Sequence, residues 1–210
     1  NLGPRTIVAL GVLWAIGCSM IVLAGLVRLP LPAVAAIGAA MVAGHNLLDG
    51  LQPAPGDASL AWRVLHMQGP LVTPRGPVAF VVYPLVPWIG VMALGWVLGS
   101  LVARWDDARR RRRLAASGLA MLAAFVALRT PNLYGEPVAW ARRATAAGTL
   151  ASFLDVTKYP PSLHYLLVTL GAALLLLAVA EGRRGPLAGA LATFGRVPLF
   201  YYVVHLYVIH

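Results

Sequence analysis

A single cysteine, Cys18, in 210 residues leaves nothing to pair in a disulfide and no thiolate set for a metal. Charge is scarce too. Asp, Glu, Lys and Arg make up 11% of the chain, where a soluble domain carries about a quarter. Acidic side chains are the rarest, seven against seventeen Lys and Arg, for a net charge of +10. So few charges exclude a soluble globule built around a large core. There is also no basic stripe interleaved with aromatics, so nucleic acid is not the expected partner of this positive charge.

In their place the chain carries apolar runs. Hydrophobic residues reach 60% and mean hydropathy is +0.77. About 20 apolar helical residues cross a bilayer core. The runs at 7–27, 33–48, 78–103, 114–129 and 162–180 read as spans, with a sixth, 194–210, cut short by the chain end. The expected fold is all-α: a polytopic transmembrane helical bundle forming one domain over residues 1–210. The third run, ~39 Å long as a helix, has its first turns kinked or unwound by Pro84 and Pro87. Arg129, ending the fourth, either snorkels to the interface or faces other helices. The chain opens at Asn1 and stops at His210 inside an apolar stretch, so it reads as part of something longer.

Arginines set the expected orientation. Arg28, Arg104, Arg109 to Arg113, Arg183, Arg184 and Arg196 fall in alternate connections. The positive-inside rule makes 28–32, 104–113 and 181–193 cytoplasmic. The longer connections 49–77 and 130–161, rich in Pro and Gly, then lie outside. The five consecutive arginines read as an orientation signal before they read as a phosphate site.

Unusual polar residues gather at the outer helix ends. On a helix, His45 and Asp49 are i,i+4 neighbours and Asn46 lies beside Asp49, an arrangement in which a carboxylate orients an imidazole for base catalysis. A polar helix end at the interface accounts for the same residues. Asp155, Lys158, Tyr159 and His164 form a second group around Pro160-Pro161, with Asp155 and Lys158 placed to pair across a turn. This group also reads as a loop entering a helix with interfacial anchors. His205 lies ~13 Å deeper into the membrane than Arg196, with Tyr201 and Tyr202 one turn back as donors. An ionisable residue at that depth is a functional candidate by default, and a neutral histidine bonded across helices is its plainer reading. His66, in the outer loop, is expected to be solvated. His45, His164 and His205 lie on separate segments without a metal-binding spacing, so no metal is expected.

Gly11 to Gly17, Gly44 to Gly50, Tyr83 to Gly95, Phe153 to Gly171 and Phe194 to His210 carry a resemblance to a known group. The chain resembles bacterial membrane proteins of the DUF1624 type, related to heparan-α-glucosaminide N-acetyltransferase in the transmembrane acyltransferase superfamily. Tyr-Pro-Leu-Val-Pro-Trp-Ile-Gly and Lys-Tyr-Pro-Pro-Ser are its most specific strings. The resemblance implies a multi-pass protein of the bacterial cytoplasmic (inner) membrane. It implies transfer of an acyl group, acetyl first, from acyl-CoA to an amine or hydroxyl of a sugar or glycan acceptor outside. The family's catalytic histidine precedes the Gly11 to Gly17 helix and has no counterpart here, whereas its late Tyr-x-x-His stretch aligns with Tyr202 and His205. On this reading His205, Tyr202, His45 and Asp49 are catalytic, and Asn46, Asp155, Lys158, Tyr159 and His164 bind substrate. The bilayer and an acceptor are the partners, with a homo-oligomer allowed. A non-enzymatic carrier or channel, or a structural subunit, is the alternative.

Overall fold

The computed structural model describes residues 8–53, 56–74 and 76–209. Helix dominates. A short strand β1 (Val8–Leu10) leads into α1 (Val12–Leu26), followed by α2 (Leu31–Gly44), which tightens into a 3-10 turn at His45–Leu48. The connection expected as an outer loop is folded, holding α3 (Asp57–Leu65) and a hairpin of β2 (Gly69–Thr73) and β3 (Gly76–Val81). Then come α4 (Leu85–Val102), α5 (Asp107–Arg129), α6 (Ala146–Leu154), α7 (Leu163–Ala180), α8 (Pro186–Arg196) and α9 (Pro198–Ile209).

Among the described residues, three stretches are long and apolar enough to cross a membrane: Leu31–Leu48, Leu85–Val102 and Leu163–Ala180. They correspond to the expected second, third and fifth spans. The other three expected spans differ. Of the expected span 7–27, residue 7 lies outside the described residues and the rest holds β1 and an apolar helix of 15 residues. Residues 114–129 are the latter part of α5, whose first turns carry the arginine run. Of the expected span 194–210, residue 210 lies outside the described residues and the rest is broken at Val197, between α8 and α9. The all-α expectation needs a second correction. Residues 76–81 are strand, because Gly76-Pro77 and Pro84 fence off a Val-rich stretch too short for a helix. α4 starts directly after Pro84.

The sheet runs β1-β3-β2, with β1 parallel to β3 and β2 antiparallel to it. It bolts together the entries of α1 and α4: the Val82 N–H donates to the Leu10 carbonyl at 3.1 Å. Around that junction Ala15, Leu85 and Ile89 are buried, with Trp14, Met41 and Tyr83 packed against them.

Two helix pairs approach through glycine. A Cβ added at Gly90 of α4 would sit 3.0 Å from the Gly38 carbonyl of α2, and one at Gly118 of α5 would sit 2.7 Å from the Gly171 carbonyl of α7. Small residues at such crossings let membrane helices gain dispersion contact, since lipid offers no hydrophobic drive between them. At the arginine end, Arg110 Nη1 donates to Glu181 at 2.6 Å and joins the start of α5 to the end of α7. At the other end, His45 and Asn46 reach Pro161 and Leu163.

Candidate active site

Switching from α-helix to 3-10 geometry at His45 decides which side chains meet. Three residues per turn superpose i and i+3 and rotate i and i+4 apart. Asn46 therefore meets Asp49, its Nδ2 donating to Oδ2 at 2.9 Å. The expected His45–Asp49 pair does not form. The His45 ring instead lies between the carbonyls of Val42 (3.0 Å) and Pro161 (2.8 Å), both nitrogens facing backbone oxygen. That makes His45 a strut between α2 and the Pro160-Pro161 loop, with no nitrogen left for a substrate.

The partner of Asp49 is His66, which is 1% exposed and not solvated as expected. Its Nε2 lies 3.0 Å from Asp49 Oδ1. The ring packs on Trp62 at 4.9 Å between centroids and meets His45 edge-on at 6.2 Å. Trp62 is anchored through its indole N–H to the Leu51 carbonyl. Asn46 completes the support, its Oδ1 accepting from the Leu163 N–H in the first turn of α7 at 2.9 Å. Both carboxylate oxygens of Asp49 are thus fixed, one by Asn46 and one by His66. Nδ1 of His66 is buried without a partner. Burial is the main influence on this imidazole and outweighs the Asp49 carboxylate, so its pKa falls below the usual 6.5.

Tyr159 faces the same space. A cavity of about 290 Å³ is lined by Asn46, Asp49, His66, Gln68, Thr157 and Tyr159, among others. The Tyr159 hydroxyl lies 3.2 Å from that of Tyr83, the rings meeting edge to face at 5.2 Å. Lys158 Nζ sits 5.1 Å over the Tyr159 ring. Hydrogen bonding from Tyr83, then from Lys158, lowers the Tyr159 pKa, while burial and the bond to Tyr159 push Tyr83 up to about 12.

The 130–161 segment owes its shape to two buried contacts. Arg129 is 1% exposed and does not snorkel. It donates to the carbonyls of Val138 (2.7 Å), Ser152 (3.2 Å), Phe153 (3.1 Å) and Asp155 (2.7 Å). Three of these lie at the C-terminal end of α6, where orphan carbonyls and the helix dipole favour a cation. Glu136 accepts from the Thr157 N–H and hydroxyl and from the Ser162 hydroxyl. Ser162 in turn caps α7 by accepting from the Tyr165 N–H.

The remaining expected residues are scattered. Asp155 and Lys158 form no ion pair among the described residues: the Asp155 carbonyl serves Arg129 and Lys158 lies on Tyr159. His164 is buried edge-on to Phe125 at 5.7 Å. His205 touches Tyr202 edge-on at 5.2 Å and stacks on Tyr201 at 6.2 Å, as ring contacts and not the expected hydrogen bonds. Neither His164 nor His205 lines the Asp49–His66 cavity.

Residues 2–134 match the family described as "Heparan-alpha-glucosaminide N-acetyltransferase, catalytic". The chain belongs to that family. No curated protein and no solved structure is significantly similar to it. The match covers β1 to α5 and so includes Asn46, Asp49, His66 and Tyr83, while Lys158, Tyr159, His164, Tyr202 and His205 lie beyond it. Membership in the acetyltransferase family and three apolar spans make this a membrane protein of acetyltransferase type.

Proposed function

We propose that the protein transfers an acetyl group from acetyl-CoA to an amine or hydroxyl of a sugar-like acceptor held in the Asp49–His66 cavity, on the non-cytoplasmic face. The observation that carries this reading is the dyad itself: a carboxylate fixed on both oxygens, an imidazole held through Nε2, and an unpartnered Nδ1. That is the orientation a general base requires, the third group holding the second, and the step needs the acceptor within hydrogen-bond reach of the buried Nδ1. His66 Nδ1 takes the proton of the attacking nitrogen or oxygen as it bonds to the thioester carbon. The carbon–sulfur bond breaks, and the proton passes to the departing thiolate. Asp49 keeps the Nε2–H tautomer and stabilises the imidazolium. Tyr159, assisted by Lys158 and Tyr83, donates to the oxyanion.

The opposite end of the bundle suits the anionic part of the donor, with Arg111 and Arg183 lining a cavity of about 470 Å³. On this reading the family histidine expected ahead of Gly11 serves the acyl side, and His66 serves the acceptor. His205 and Tyr202 line neither cavity and take no step in this scheme.

Thiol release from acetyl-CoA on addition of a glucosaminide tests the proposal, using membranes that hold the intact protein. His66→Gln should lower turnover on the order of 10²-fold or more, with acetyl-CoA binding retained. Undiminished turnover at equal expression would remove the dyad from the reaction.

A further inference from the structure

Arg129 secures the 130–161 segment as far as the Asp155 carbonyl. From Thr157 to Ser162 the chain makes a tight turn of its own, the Ser162 N–H donating to the Thr157 carbonyl at 2.9 Å and Lys158 bridged to Pro161. Glu136 grips this turn at both ends. One end gives it the Thr157 hydroxyl and N–H, the latter at 3.0 Å, and the other gives it the Ser162 hydroxyl at 2.6 Å. Hydrogen bonds to a carboxylate are shorter and about twice as strong as those between neutral groups. Gly135 brings the carboxylate into place. Its φ of +90° is one that side chains rarely adopt, and an added Cβ would lie 3.0 Å from the Leu163 Cβ, so the backbone lies close against the start of α7.

The turn carries one wall of the Asp49–His66 cavity. Thr157, Tyr159 and Pro160 line it, and Glu136 does not. Tyr159, in the middle of the turn, brings its hydroxyl to 3.2 Å from that of Tyr83, and the Pro161 carbonyl faces His45 Nε2 at 2.8 Å. The place of the phenol beside the dyad therefore depends on how the turn is held. Both Glu136 oxygens are engaged by the turn, and among the described residues this carboxylate has no ion-pair partner. Its charge serves the turn alone.

We infer that Glu136 is a positioning residue for acetyl transfer: by clasping Thr157 and Ser162 it holds the Tyr159 hydroxyl at the Asp49–His66 cavity, where the oxyanion forms. This deepens the proposed function and rests on it.

The test is a double-mutant cycle on the intact protein in membranes, with acetyl-CoA and methyl glucosaminide as substrates. Glu136→Gln keeps the size of the side chain but turns an NH2 group towards one end of the turn, where a donor already stands. Tyr159→Phe should lower kcat on the order of 10²-fold, the usual effect of losing an oxyanion donor. Glu136→Gln should lower kcat about tenfold through misplacement of the phenol. Both KM values should hold, since the weakened interaction belongs to the transition state. In the Tyr159→Phe background Glu136→Gln should cost nothing further. Losses that multiply would overturn the inference, because a weakened fold or an independent role produces them, and so would an unchanged kcat in Glu136→Gln alone. A second measurement needs no turnover. Hydrogen bonds from Tyr83, then Lys158, hold the Tyr159 phenol below its ordinary pKa, and the difference in alkaline absorbance titration against Tyr159→Phe isolates it. Its midpoint should rise towards the ordinary phenol value in Glu136→Gln, and an unmoved midpoint would refute the clasp. If the wild type releases no thiol, the acetyltransferase reading fails, and the titration still decides whether Glu136 sets Tyr159.

Discussion

At the scale of single residues, burial and the Asp49 carboxylate pull His66 in opposite directions, and burial prevails. Its folded pKa lies below 6.5, so the folded state binds fewer protons than the unfolded chain as the solution is acidified. The stabilisation it gives is complete above pH 6.5 and is lost as pH falls through that value towards the folded pKa. Thermal unfolding in detergent should accordingly show a midpoint that declines below pH 6.5, and His66→Gln should flatten that decline. Arg129 makes a different prediction. Arg129→Met leaves four carbonyl acceptors without their donor. At roughly 1–3 kcal/mol for a buried group left unpaired, the loss should be about 3 kcal/mol or more, read as a lowered unfolding midpoint and early proteolysis within 130–161. Neither residue's role was legible from the sequence. His66 owes its burial to Trp62 and to Asp49, seventeen positions away, and Arg129 to carbonyls that only the folded loop brings together.

Elements were legible wherever one physical signal ruled. The runs that became α2, α4 and α7 are apolar over a bilayer's thickness, and no competing local preference disturbs them. Where two signals overlap, composition misleads. Residues 78–84 are as apolar as the helix they precede, and only Gly76, Pro77 and Pro84 mark them as strand and turn. At His45 to Asp49 one extra twist of 20° per residue (120° against 100°) turns His45 away from Asp49 and keeps Asn46 beside it. The Asn46–Asp49 contact was therefore legible in the sequence, and the loss of the His45–Asp49 one was not. The glycine crossings carry a test of their own. Gly171→Val would put a branched side chain where a Cβ already meets the Gly118 carbonyl at 3.1 Å and Leu122 at 3.2 Å. Helix separation of that kind costs about 1–3 kcal/mol, and the thermal midpoint should drop accordingly, while Gly95→Ala, with nothing within 4 Å and a better helix former in place, should hold the midpoint or raise it slightly.

For the whole molecule, two ties at opposite ends define its polarity. Arg110–Glu181 gathers the arginine-rich turns, and the His45–Pro161 and Asn46–Leu163 contacts gather the dyad, the tyrosine pair and the folded 49–83 region. The charge rule assigns the first end to the cytoplasm. In a Cys18→Ala background, a cysteine at Gln52 should react with an impermeant maleimide added outside cells, and one at Arg112 only after permeabilisation. Labelling of both from one side would invert or dismantle the vestibule. On the proposed function, acceptor and donor approach from these opposite ends.

The pH dependence of acetyl transfer, compared between the wild type and Asp49→Asn, bears most directly on the Asp49–His66 dyad as the acceptor-side base. Activity should be level above pH 6.5 and fall on the acid side as His66 gains a proton. Removing the carboxylate, which favours the protonated ring, should lower the rate and move the acid limb to still lower pH. An acid limb that keeps its position in Asp49→Asn, or one that also survives in His66→Gln, would contradict the account.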